Sequence, residues 1–167
     1  MLTYHPAFDL YSAMFRMLRL LGKLGERSVE IERLRILDFY LLFPALLRDI
    51  QLPITARKFK AQVQSEANSY EVIPDPRRLF VRLDTYQVAA IQCLAAYSFI
   101  DPVELKLGKV KRTDRVLPQE LTKRIEERNQ DDFIVELLTG PLVDVDLYGK
   151  SGLKHRTDLF EYRYDPH

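Results

Sequence analysis

Between Ile36 and Pro44 the chain reads ILDFYLLFP, apolar on every face of a helix except at Asp38. A helix that is apolar all round belongs in the middle of a structure, packed on several sides. Ser28 stands where an N-cap is wanted, with Glu30 and Glu32 in the turn where the helix dipole favours acids, so a helix is predicted over 29–43. Ile31, Leu34, Leu37 and Leu41 make one stripe; Ile36, Tyr40 and Phe43 make another. Pro44 disfavours helical geometry at Phe43, so the helix ends or kinks there and 45–50 resumes as a short piece. Upstream, Pro6 suits a first helical position and Gly22 a stop. Phe8, Tyr11, Phe15 and Leu18 fall at helical spacing with Arg16 and Arg19 opposite, which predicts an amphipathic helix over 6–21.

A third helix is predicted over 53–68, with Ile54, Phe59 and Val63 on one side and Arg57, Lys58 and Lys60 on the other. Pro74 and Pro76 mark a loop. Leu79, Val81 and Leu83 then alternate with Phe80 and Arg82, the pattern of a short strand. Asp84 or Thr85 caps a helix through Tyr97 that carries Val88, Ile91 and Leu94 at core spacing. Val103, Leu105 and Leu107 alternate with Glu104 and Lys106, Gly108 allows a turn, and 109–116 returns, giving a basic hairpin over 103–116. Helix, apolar turn and basic hairpin are how a winged helix-turn-helix ends, although only one clear helix precedes this hairpin where a winged helix has two. Helices over 118–129 and 131–139 follow, the second ended by Gly140-Pro141, and Phe160, Tyr162 and Tyr164 alternate in a late edge strand. The expected fold is mainly α with a small β component. A helical part covers 1–52, a winged-helix-like region 53–129, and an acidic segment 130–167.

The charge distribution sharpens this division. Net charge is +1, yet residues 53–82 hold six basic against three acidic groups and residues 130–167 four against eight. A positive middle and a negative tail imply contact surfaces of opposite character, or simply solvated faces. Cys93 is alone in an apolar helical stretch, so no disulfide framework or cysteine-based zinc site is expected, and the cytoplasm is the natural compartment. Thr3, His5 and Asp9 near the start do not make a signal peptide. The run from Ile36 to Leu47 is about half the ~20 residues of a membrane span and is fenced by Arg33, Arg35 and Arg48. A soluble protein is expected.

Candidate chemistry is sparse. Gly149-Lys150-Ser151 looks like the end of a phosphate-binding loop, but Asp144 stands where its first glycine belongs, and a carboxylate there would repel phosphate. Pro74-Asp75 followed by Glu104-Leu105-Lys106 has the order of a PD…ExK nuclease, in which two carboxylates hold a divalent cation and the lysine helps activate water. The competing reading makes Glu104 and Lys106 the wet face of the hairpin. His5, His155 and His167 have no ligands at metal spacing, and His5 before Pro6 reads as a residue that opens a helix. Asp38 must be paired if buried; Arg35 at i−3 is the local candidate, and a partner arginine the functional one. No cofactor, metal or small-molecule substrate is expected.

The segments YHPAFDLYSAMFRMLRLL and EIERLRILDFYLLFPALL resemble the small middle component of bacterial ABC three-component conflict systems, the group that includes Lamassu-type anti-phage defence. The resemblance extends over most of the chain and its motifs are structural. It implies a non-enzymatic adaptor that associates with an SMC/Rad50-like ATPase and a separate effector subunit, often a nuclease, in a DNA-sensing complex. Independently, the two apolar stripes of the 29–43 helix look like more than the rest of the chain can cover. That surplus makes Phe8, Tyr11, Phe15, Asp38, Tyr40 and Phe43 candidate partner-interface residues; the competing reading packs the two N-terminal helices on each other and on the hairpin with nothing left over. Arg57, Lys58, Lys60, Lys106, Lys109, Lys111, Arg112 and Arg115 are candidates for non-specific DNA contact, without the interleaved aromatics that stack bases. Two other classes remain: a winged-helix DNA-binding regulator reading with 54–68, and a nuclease built on Asp75, Glu104 and Lys106.

Overall fold

His5 and Asp9 set the start of the chain's first helix. The His5 Nδ1 accepts the Ala7 amide at 3.1 Å and opens a 3-10 turn, Pro6–Phe8; the Asp9 carboxylate accepts the Ser12 amide at 2.7 Å. In the computed structural model, which describes residues 5–66 and 75–160, helix α1 then runs Leu10–Leu24. Gly22 lies inside it. The stop is Gly25, whose φ of 61° only glycine adopts without strain and whose amide returns to the Leu21 carbonyl at 3.1 Å.

A two-residue strand β1, Val29–Glu30, leads into α2, Ile31–Leu42. Ser28 is therefore no cap; its hydroxyl donates to Glu104 at 2.6 Å. Pro44 ends α2 as expected and starts a 3-10 turn, Pro44–Asp49. The expected helix over 53–68 is split into a 3-10 turn, Ile54–Phe59, and α3, Lys60–Glu66; positions 67 and 68 lie outside the described residues.

The largest correction follows. No strand forms over 79–83, because α4 runs Pro76–Ala96 without interruption. Asp75 caps it by accepting the Arg78 amide at 3.1 Å, and Pro76 takes the first position, where a missing N–H costs nothing. Phe80, Leu83, Gln87, Ala90, Ile91 and Leu94 are its buried face, a helical spacing that the alternation at 79–83 conceals. The same error recurs at 103–107: Asp101 accepts the Val103 amide at 2.8 Å and caps α5, Pro102–Lys106. The basic hairpin does not form. Strand β2, Lys109–Val110, pairs antiparallel with β1 instead, Val29 opposite Val110 and Glu30 opposite Lys109, and an isolated bridge joins Ile100 to Arg112.

Helix α6, Gln119–Asn129, falls where predicted. Helix α7, Phe133–Leu137, runs into a π-helical turn, Leu138–Leu142, that contains Gly140-Pro141 rather than stopping before it. Helix α8, Leu153–Thr157, is the last element among the described residues. Phe160 packs edge-on to Phe80 at 5.0 Å; Tyr162 and Tyr164 of the expected edge strand lie outside the described residues, as does Pro74. The chain is mainly α with a small β part, as the sequence predicts. No described helix is long and apolar enough to cross a membrane.

Helix α1 packs chiefly on α4, with α2 and α6 beside it, and one hydrophobic cluster runs from Ala7 to Leu159. At its centre Asp38 of α2 is fully buried. Its two oxygens take Arg16 Nε at 2.7 Å and Nη2 at 3.1 Å, a bidentate fork from α1. Gln87 of α4 donates to the same carboxylate at 2.9 Å and to the Arg35 carbonyl at 3.0 Å, while Arg35 Nε returns to Gln87 Oε1 at 2.9 Å. Three helices thus meet in one polar knot. Arg16 and Arg19, expected on a solvent face, are both buried. Arg19 donates to Asn129 at 2.9 Å and to Asp132 at 2.8 Å, fastening α1 to the end of α6 and the cap of α7. Arg33 donates to Glu30 at 2.7 Å and to the Val143 and Val145 carbonyls, and Lys154 reaches Glu32 at 2.7 Å.

Truncating one partner of the knot strands the other charge in the core. Asp38→Ala is expected to lose about 3–5 kcal/mol in urea denaturation, and the double variant Arg16→Met/Asp38→Leu much less. A loss under about 1 kcal/mol for the single variant would show that the pair is not what holds these helices.

Burial, together with the carboxylates of Asp49 and Asp158, raises the pKa of the Tyr40 phenol. Its neutral form contributes stability that is complete below about pH 10, tyrosine's ordinary value. That contribution is lost as pH rises further, since the unfolded chain ionises first. Denaturation midpoints should fall above that pH, and fall less in Tyr40→Phe; equal slopes would assign the effect to other groups.

Candidate interaction surface

With Arg16, Arg19, Arg33 and Asp38 turned inward, apolar groups remain outside. Tyr11, on α1, is 78% exposed. It borders a hollow of about 330 Å³ between α1 and α6, whose lining includes Met14, Phe15, Leu18, Leu121 and Arg124. The Arg124 guanidinium lies 5.3 Å over the Phe15 ring, so the hollow has an apolar floor and one cationic wall.

The other aromatic candidates divide by burial. Phe8 is half-buried, edge-on to Tyr86 at 5.7 Å and under the Arg82 guanidinium at 4.7 Å. Tyr40 and Phe43 are core: both pack on Phe39, at 5.2 and 5.4 Å. Asp38 is saturated by Arg16 and Gln87 and offers no pairing point to an outside arginine. The surplus that α2 was expected to present does not exist. Helices α1 and α4, the turn after Pro44 and the turns around 138–147 cover all its sides, because the strand expected at 79–83 is in fact two more turns of helix packed against it.

The cations do not make one stripe either. Arg57, Lys58 and Lys60 are exposed; Lys58 lies 5.0 Å over the Phe59 ring. The pieces that carry them are a six-residue 3-10 turn and a seven-residue helix, too broken to serve as the recognition helix of a regulator. Lys106 and Lys109 are exposed and Lys111 is half-buried. Arg112 is half-buried and Arg115 exposed, and both bond back onto the chain: Arg112 donates to the Phe99 carbonyl at 2.9 Å and to the Arg115 carbonyl at 3.1 Å, and Arg115 to the Tyr97 carbonyl at 2.6 Å. Both guanidinium groups also cover the Phe99 ring, and burial lowers the Arg112 pKa. These two arginines help hold the turn after α4.

The nuclease arrangement is undone by the length of α4. Asp75 caps its first turn and Glu104 lies beyond its last, so 21 residues of helix, about 31 Å at 1.5 Å each, separate them. A shared cation needs both carboxylates within about 2.6 Å of itself. Glu104 is instead the acceptor of the Ser28 hydroxyl. Among the described residues no group of three or more His, Cys, Asp or Glu side chains can hold a metal ion.

Sequence reasoning missed a second apolar surface. Val103 of α5 and Leu107, the residue that caps its C-terminal end, are both exposed and four positions apart, although their alternation predicts the buried face of a strand. Exposed Tyr97 and Val116 flank the neighbouring turns, which lie side by side through Thr113 N–H to the Phe99 carbonyl at 3.0 Å and Asp101 N–H to the Lys111 carbonyl at 2.9 Å. Asp101-Pro102, a capping residue before a proline, was the signal for a helix start and hence for this outward turn.

Residues 2–165 fit the family model described as ABC-three component (ABC-3C) system Middle Component 5. No curated protein and no solved structure matches the chain. The matched span takes in every described element, the buried knot of Arg16, Asp38 and Gln87 and both apolar surfaces: the chain belongs to the family of ABC-three component system middle component 5.

Proposed function

We propose that the chain is the non-catalytic adaptor of its system, working in the cytoplasm and holding an SMC-like ATPase subunit and an effector subunit together, in the manner of Lamassu-type defence. Membership of a middle-component family supports the existence of other components. The observation that carries the adaptor role is the apolar side of α5, Val103 and Leu107, flanked by Tyr97 and Val116, in a protein whose internal charges are paired. Exposed apolar groups scattered singly are ordinary, whereas contiguous ones mark contact surfaces. The hollow beside Tyr11 supplies a second surface on α6 and α1, and two surfaces are what a linking subunit needs.

Co-expression with the products of neighbouring genes, an SMC-like ATPase and an effector on this reading, followed by size-exclusion chromatography, tests it. The three products should co-elute. Leu107→Asp and Tyr11→Asp, both at exposed positions, should each release a component while leaving the denaturation midpoint within error. The chain alone should neither hydrolyse ATP nor cleave DNA with magnesium or manganese. Elution as an indifferent monomer, or cleavage abolished by Glu104→Ala, would overturn the proposal. Sequence-specific DNA binding that survives high salt would point to a regulator instead.

A further inference from the structure

We infer that the hollow between the Pro44–Asp49 turn and the Ile54–Glu66 segment receives an acidic segment of a partner protein bearing one apolar anchor residue. The inference rests on the adaptor reading and names the chemistry of one of its contacts. The hollow is about 320 Å³, at the small end of ligand-sized cavities. Leu47 and Val63 are buried at its floor, Gln64 lies beside them, and Ile54 at its edge is 82% exposed. Arg57 and Lys60 stand at the same opening, both exposed.

Charge complementarity selects the occupant. No aspartate or glutamate lines the hollow; the adjacent Asp49 faces Arg48 at 3.6 Å. Arg16, Arg19, Arg27, Arg33 and Arg35 each bond a carboxylate or amide elsewhere in the fold, whereas Arg57 and Lys60 make no hydrogen bond or ion pair among the described residues. Two unengaged cations over an aliphatic floor fit carboxylates on either side of a leucine-like side chain, with the amide of Gln64 available to the ligand backbone. Nucleic acid fits less well. The lining has no aromatic ring for base stacking, and a concave aliphatic site does not match a duplex backbone, which is met by protruding cations.

Selection of random short peptides displayed on phage against the intact chain tests this. Enriched sequences should combine aspartate or glutamate with an aliphatic or aromatic residue. The best of them, synthesised with a fluorescent label, should bind in anisotropy titrations and weaken as salt is added. Arg57→Glu/Lys60→Glu should weaken binding about tenfold or more, by replacing two attractions with two repulsions, with the denaturation midpoint retained. Ile54→Asp should weaken the same peptide without changing the fold. Failure to enrich acidic sequences, or binding unchanged in the charge-reversed variant, overturns the inference. So does binding of a short DNA duplex or single strand that the same variant abolishes while no acidic peptide is selected, an outcome that assigns the cations to nucleic acid. If the system's components still co-elute with the chain, such a failure leaves the adaptor reading standing. If acidic peptides bind as expected but no component co-elutes, the adaptor reading fails instead.

Discussion

The buried carboxylate of Asp38 is the constraint to which the rest of the structure answers. An ionised group with no access to water must be paired and have its remaining lone pairs satisfied. Arg16 and Gln87 do this from two other helices, and Arg35 closes the ring by binding Gln87. The net stabilisation from such a pair is small, since desolvation offsets attraction. Its effect lies in register. Sliding α1 or α4 by one turn, about 5.4 Å, would leave every apolar contact replaceable by a similar one but would strand a charge in hydrocarbon. An all-apolar core of leucine and phenylalanine has no comparable device for choosing one alignment.

The remaining buried cations repeat the arrangement toward the second half of the chain. Arg33 and Lys154 tie α2 to the turns at 143–145 and to α8, and Arg19 ties α1 to residues 129 and 132. Lys154 also lies over the rings of Tyr148 and Phe160, at 4.7 and 4.5 Å, so its aliphatic stem and its charge both serve packing. Helices held in this way have little freedom to move past one another. Apolar residues left outside α1 and α5 therefore sit on fixed supports, and a surface already rigid loses little entropy when a second protein covers it.

How much of this was legible follows from particular residues. The end of α2 at Pro44, the span of α6, the helix-opening place of His5 and the mainly helical class were readable because prolines and helical spacing agreed there. Asp38 was readable as a residue in need of a partner, but Arg16 was not, because its neighbours on α1 made it look like a member of a solvent face. Over five residues a strand and a helix share a pattern: Leu79 and Leu83 are i and i+4 on a helix as well as like-facing positions on a strand. The helix starts Asp75-Pro76 and Asp101-Pro102 settled both cases, and they were outweighed by the alternation after them. That single misreading propagated to the site. With two turns of α4 taken away, α2 looked uncovered and Tyr40 and Phe43 became false interface residues, while Val103 and Leu107 were placed in a core they do not reach. Tyr11, expected on the apolar stripe of α1 with Phe8 and Phe15, stands exposed beside it.

The reciprocal pair of Arg19 and Asn129 has a consequence for synthesis. Arg19 Nε donates to the Asn129 side chain and Asn129 Nδ2 returns to the Arg19 carbonyl at 3.1 Å, across 110 residues of chain. During translation α1, α2 and α4 leave the ribosome well before residue 129. Until it follows, the Arg19 guanidinium lacks the partners that cover it, so the side of α1 that meets α6 stays open to water. Docking of α6 on α1 therefore waits until most of the chain has been made, and the sequence separation of that contact makes the step slow relative to a bundle with local pairing. The interval leaves Met14, Phe15 and Leu18 of α1, which later face Leu121 and Arg124 of α6, as the last apolar groups to be enclosed.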